Sequence, residues 1–307
     1  VKMAILKGNH MQQINVGLVQ LAYNGSRQAM QQQYLDLIPQ AVAQGAGLVC
    51  LPEFSLLPYF PGTRDASGFD YAETVADGPS GAFFADVARQ HNITLIGSIF
   101  EQSGGNYYDT ALIYGPNGAL VGATRKIHIP SGEGYYETDY FGGGDAYPVW
   151  NTGPVRVAAP TCYDQWFPEL ARIYSMNGAE YIFYPTAIGS EPTDPAMDSA
   201  DMWQTIMRAH AIANGVFIGA ANRVGHENDV TFYGSSFICD PTGKVLAQAG
   251  RDTTQVIVAT LNPAVMERWR SLFPLMQQRM PHTYARLLER AEGGLPPRFE
   301  AERRVNE

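Results

Sequence analysis

The chain is poor in cysteine. Its 307 residues include only Cys50, Cys162 and Cys239, scattered and without a C-x-x-C pair. A disulfide framework and a structural zinc site are thereby excluded. Basic residues are also few: 21 Lys and Arg stand against 30 Asp and Glu, a net charge of −9. That balance argues against nucleic acid and anionic membrane surfaces as partners, since both attract basic proteins. No apolar run approaches the ~20 residues that cross a bilayer. Val1–His10 has no secretory core, so the cytoplasm is the expected compartment. Gly8-Asn9-His10-Met11 reads as a junction, with residues 1–10 an appended or leader segment. The chain lacks G-x-G-x-x-G, a P-loop and G-x-S-x-G, and its six histidines have no metal-ligand spacing.

What is present is a foldable composition, 45% hydrophobic and 17% charged, far from that of disorder. Val/Ile/Leu-rich runs at Ile14–Leu21, Gly47–Leu51, Thr94–Phe100, Ala111–Tyr114, Val155–Ala158, Glu180–Tyr184, Val216–Ala221, Ser236–Cys239 and Gln255–Leu261 predict strands, several covered on both faces. Helical spacing marks 27–46, a helix capped by Ser80, one opened by Pro168, and 198–214. In the last, Met202, Ile206, Ala209 and Ala213 form the expected core stripe. Turns at Gly104-Gly105, Pro116-Asn117-Gly118 and Asp240-Pro241-Thr242-Gly243 add hairpins, so the sheets should be mixed. No linker interrupts 11–288, which reads as one domain. Residues 289–307, rich in Glu, Arg, Pro and Gly, read as a surface tail.

Three strands run into chemically useful side chains. Glu53 follows Gly47–Pro52, Lys126 follows Leu120–Arg125, and Cys162 follows Val155–Thr161 just before the Pro168 helix. Ligands of open α/β sheets bind at strand carboxyl ends. A nearby lysine and helix N-terminus would lower the pKa of the thiol and make it nucleophilic. Taken singly, such a Glu, Lys or Cys is more often a solvated or core residue, and only the combination points to a site.

Leu51-Pro52-Glu53-Phe54, Arg125-Lys126-Ile127-His128 and Cys162-Tyr163-Asp164-Gln165-Trp166-Phe167-Pro168-Glu169 resemble the three signature regions of the nitrilase (carbon–nitrogen hydrolase) superfamily, in order and spacing. The resemblance spans residues 12–285. The segments 128–135, 164–169, 184–192 and 232–237 are similar to those of N-carbamoylputrescine amidases within it, although Tyr163 stands where those relatives carry tryptophan. The resemblance implies a four-layer α-β-β-α sandwich, in a homo-oligomer built from dimers through outer helices. It implies Cys162 as nucleophile, Glu53 as general base, Lys126 as oxyanion stabiliser with the Tyr163 N–H, and Glu137 as a second glutamate, for which Glu133 competes. It implies no metal or organic cofactor.

The same resemblance implies a small carbamoyl or amide substrate. Relatives acting on N-carbamoyl amino acids carry two arginines where Gln165 and Trp166 stand, so a substrate carboxylate would lack its cations here. Glu191 offers an anion for a distal ammonium, with Tyr59 and Trp166 flanking an aliphatic chain. N-carbamoylputrescine is the expected substrate. The alternatives are an N-carbamoyl amino acid or a simple aliphatic amide, and, as a different class, an inactive binding scaffold.

Overall fold

A computed structural model describes residues 13–153 and 155–289. The expected leader at 1–10 and, apart from Glu289, the tail at 289–307 lie outside these residues. The strands are β1 (Ile14–Gln20), β2 (Leu48–Cys50), β3 (Thr94–Ser103), β4 (Asn106–Tyr114), β5 (Leu120–Arg125), β6 (Trp150–Asn151) and β7 (Arg156–Ala158). They continue with β8 (Tyr181–Pro185), β9 (Phe217–Ala221), β10 (Val224–Glu227), β11 (Val230–Tyr233), β12 (Phe237–Cys239), β13 (Val245–Gln248) and β14 (Gln255–Leu261). The helices are α1 (Arg27–Ala43), α2 (Pro79–His91), α3 (Pro168–Met176), α4 (Ala200–Asn214) and α5 (Pro263–Leu272).

Two six-stranded sheets form, in the orders β14-β1-β2-β3-β4-β5 and β13-β12-β9-β8-β7-β6. Both are mixed: β1, β2 and β3 run parallel, as do β7, β8 and β9, while the edges are antiparallel. The three expected turns close the β3–β4, β4–β5 and β12–β13 hairpins. Side chains alternate along each strand, and each sheet therefore feeds two cores. Leu48 and Cys50 of β2 meet Tyr181 and Phe183 of β8 between the sheets. Val49 turns outward to Tyr34 and Ile38 of α1 and Phe84 of α2. On the other side, Ile182 and Tyr184 face Leu170 and Tyr174 of α3 and Trp203 and Met207 of α4. The result is the expected four-layer α-β-β-α sandwich. No described helix is long and apolar enough to cross a membrane.

Two local expectations change. α2 is capped at Gly78 with Pro79 in its first turn; the Ser80 N–H donates to Glu73 Oε2 at 2.8 Å, so a distant carboxylate does the work expected of the Ser80 hydroxyl. The core stripe of α4 is Trp203, Met207, His210, Ala211 and Asn214, whereas Met202 is 49% exposed. Trp203 fills the space between Tyr233 and Phe237, and this packing sets the rotation of the helix.

Candidate active site

The strand ends bring Glu53, Lys126 and Cys162 together, wholly or almost wholly enclosed. Beyond β2 the chain turns sharply: Phe54 has φ +45°, and its N–H donates to Ser98 Oγ at 3.0 Å. Beyond β7 Cys162 has φ +41° and opens a 3₁₀ turn over Cys162–Trp166. Left-handed backbone at a residue with a side chain costs about 1–3 kcal/mol and persists only when its surroundings enforce it. Asp164 is part of that enforcement. Its carboxylate accepts the N–H groups of Thr161 and His128, and His128 Nδ1 lies 2.8 Å away, tying the cysteine turn to the lysine loop. Cys162 Sγ reaches Ala187 O at 3.6 Å.

Lys126 Nζ lies 2.8 Å from Glu53 Oε1, 2.5 Å from Glu137 Oε2 and 3.5 Å from Asp109 Oδ2. Glu137 is buried within this cage and Glu133 is solvent-exposed, so the structure selects between the two glutamates. Tyr59 donates its hydroxyl to Glu137 Oε1 at 2.8 Å. It is fully enclosed beside that carboxylate, its ring against Phe54, Tyr135 and Phe232.

Burial governs the protonation states. It pushes the Glu137 carboxyl up to about 7 against the opposing pull of Lys126. It raises Glu53 well above the carboxylate range. On Lys126 burial acts downward, but Glu137 and Glu53 outweigh it and the ammonium is held charged. The Cys162 thiol is raised by burial and then by Glu53, with Lys126 only partly offsetting them. The expectation of a thiol acidified by its lysine is thus corrected: at rest the proton stays on sulfur, because desolvation and neighbouring carboxylates outweigh one ammonium. Cys50 and Cys239 are core thiols, the latter pushed up to about 12 by burial.

Toward the mouth lie Tyr163, 37% exposed, and Glu191. Burial first, then Glu191, raises both Tyr135 and Tyr163, and the same two tyrosines feel Cys162. Glu191 therefore shares two neighbours, Tyr135 and Tyr163, with the thiol. It is half-buried, which raises its carboxyl, and its side chain makes no hydrogen bond or ion pair among the described residues. Trp166 packs against the core of the α3–α4 layer. Gln165 is buried, its Oε1 meeting Thr186 Oγ1 at 3.3 Å and its Nε2 without a hydrogen-bond partner among the described residues.

Two members of the site escaped the sequence reading. Tyr135 accepts the Gly189 N–H and donates to Ser190 O, fixing the segment that carries Glu191. Asp109 belongs to the lysine cage, and the β4–β5 register holds the signal. Thr110 pairs with Arg125, so the next pair sets Asp109 beside Lys126, whose N–H donates to Asp109 O at 2.8 Å. The carboxylates of Glu53, Asp109 and Glu137 offer oxygens within 4.8 Å of one another, a grouping that could hold a metal ion. Here the Lys126 ammonium already stands among them.

The sequence model of the carbon-nitrogen hydrolase family matches residues 15–271. The chain is a carbon–nitrogen hydrolase of the nitrilase superfamily. This hydrolase is 38% identical to a citrullinase of Francisella tularensis over 91% of the chain and 100% of that relative. It is 36% identical to the N-carbamoylputrescine amidase of Arabidopsis thaliana, over 82% of the chain and 87% of the relative. A crystal structure of a carbon-nitrogen hydrolase from Helicobacter pylori superposes with a TM-score of 0.86 at 34% identity, covering 91% of this hydrolase and 99% of that chain.

Proposed function

We propose that this hydrolase cleaves the terminal ureido group of an alkyl chain bearing a distal ammonium, with N-carbamoylputrescine as the substrate and putrescine, carbon dioxide and ammonia as products. The observation that carries this reading is Glu191, a half-buried carboxylate that shares Tyr135 and Tyr163 as neighbours with Cys162 and has no cation of its own among the described residues. A substrate ammonium supplies that cation.

In the reaction, Glu53 takes the proton of Cys162 as sulfur attacks the ureido carbon. Deprotonation is coupled to attack because the free thiolate is disfavoured by burial. Lys126 and the Tyr163 N–H stabilise the oxyanion, and Glu137 holds Lys126 in place. Glu53 then protonates the departing nitrogen. Water, deprotonated by Glu53, cleaves the thioester and releases Cys162; the carbamic acid so formed loses carbon dioxide and frees the second nitrogen.

Citrulline is a second reading, supported by the likeness to a citrullinase. It shares the ureido tail and the amine but adds a carboxylate. Gln165, buried, and Trp166, packed on the core, give that carboxylate no cation. Ammonia release from N-carbamoylputrescine, citrulline and a simple aliphatic amide tests the choice. Preference for N-carbamoylputrescine is expected, and turnover of citrulline alone overturns it. We further propose a homo-oligomer pairing through the α3–α5 face, where Met176, Leu272 and Phe273 are exposed.

A further inference from the structure

Glu53 Oε2 and Asp109 Oδ2 are buried, and among the described residues neither has a hydrogen-bond partner, Lys126 Nζ standing 3.5 Å from Asp109 Oδ2. Buried carboxyl oxygens are rarely left so. The two carboxyls place oxygens within 4.8 Å of each other, and each acts on the other's proton affinity. Two acceptors in contact, away from solvent, are satisfied together by one proton. We propose that Glu53 and Asp109 share one proton, and that Asp109, as the neutral acid, donates it to Glu53 Oε2 and thereby orients Glu53.

The surroundings fix where the proton rests. Facing the pair are Lys126, Glu137, Tyr59 and Cys162, with the Arg223 guanidinium on the backbone carbonyl of Glu53. Lys126 Nζ is 2.8 Å from Glu53 but 3.5 Å from Asp109, so negative charge is better placed on Glu53. Asp109 Oδ1 accepts the Ser98 hydroxyl at 3.0 Å, the role of the carbonyl oxygen in a neutral acid. Oδ2 is then the O–H. Burial raises both carboxyls, in keeping with a retained proton; their mutual hydrogen bond pulls that proton toward Glu53, and the nearer Lys126 ammonium opposes it and favours the anion on Glu53. Asp109 touches no reacting atom and is a positioning residue. Its donated hydrogen bond leaves Glu53 an oriented carboxylate, ready for the thiol proton. The titration belongs to the pair.

This inference rests on Glu53 acting as the base, and its test has one arm independent of turnover. Asparagine reproduces the bonding: its carbonyl can accept from Ser98 and its amide can donate to Glu53. Asp109→Asn should keep kcat within about tenfold, while Asp109→Leu, similar in size but without a donor, should lose about 100-fold or more with KM little changed. Infrared difference spectra of wild type against Asp109→Asn at neutral pH should show a neutral-acid carbonyl band in wild type alone. Equal loss of activity in two folded variants overturns the proposal, as does absence of the band in wild type. If no carbon–nitrogen substrate is turned over, the proposed function fails, and the infrared arm still reads the shared proton.

Discussion

Two buried charged clusters meet at Glu53, and they are built differently. On the backbone side, Arg223 is fully used: Nη2 donates to the carbonyls of Glu53, Phe54 and Leu57 at 2.9, 2.7 and 2.7 Å, and Nη1 pairs with Glu227 at 2.7 Å. Glu227 in turn accepts the Tyr59 N–H at 2.7 Å. On the side-chain side, Lys126 sits among three carboxyls, with Glu53 Oε2 and Asp109 Oδ2 unmatched and a raised thiol beside them. The satisfied cluster holds the left-handed turn after Glu53 in place. The other, completed only by a shared proton, keeps groups in protonation states that water would not allow, which is the condition for chemistry near neutral pH. Bonding that depends on a titrating proton, more than charge or depth, separates this reactive cluster from the structural one.

The contrast can be broken at several points, the largest effect first. Cys162→Ala should remove turnover, by ~10⁴-fold or more, and abolish alkylation at the site while thermal unfolding is unchanged. Retained turnover would move the nucleophile elsewhere. Arg223→Met should act mainly on folding, destabilising by about 3–5 kcal/mol in chemical denaturation, because Glu227 and three carbonyls lose their partner in the interior. A variant with normal stability and lost activity would reverse the assignment of the two clusters.

Glu191→Gln should raise KM for N-carbamoylputrescine by about 10–100-fold while leaving a neutral amide nearly unaffected, as expected for one charge-assisted contact. Equal effects on both substrates would remove its role. The pH profile probes the reactive cluster directly. Burial holds the Glu137 carboxyl up at about 7, above its unfolded value of about 4.3. Its ionised form, which holds Lys126, is therefore lost as pH falls through about 7, and kcat/KM should fall about tenfold per unit below that. The folded state binds this proton more tightly than the unfolded chain, so the group's contribution to stability declines as pH rises from about 4 to about 7. A flat profile from pH 5 to 7 would contradict this. The smallest effect is Tyr59→Phe, which removes one hydrogen bond to Glu137 and should lower kcat by about tenfold with little change in KM.

Much of this was legible in the chain. Glu53, Lys126 and Cys162 each end an apolar run, and a strand covered on both faces delivers its next polar residue to the sheet's end. The hairpin turns announced themselves through Gly, Pro and Asn. Asp109 was not legible alone, because a carboxylate on a strand faces solvent or interior according to its partners, and only the register with β5 placed it beside Lys126. The stripe of α4 was missed by one residue for a related reason: two adjacent faces have comparable apolarity, and Trp203 needed a neighbour to pack against. Tyr59 was legible as an aromatic residue of the site, but the bond of its hydroxyl to Glu137 was not.

By itself the sequence determined the turns and which side chains stand at the strand ends, since these follow from periodicity and turn chemistry, while the four layers were implied only by the resemblance of its signature segments to a known family. Tertiary structure alone decided the state of those side chains: which glutamate meets Lys126, that the Cys162 thiol keeps its proton, and that Glu53 faces Asp109. Proton affinity and hydrogen-bond satisfaction depend on burial and on neighbours distant in the chain, and both exist only once the two sheets have packed.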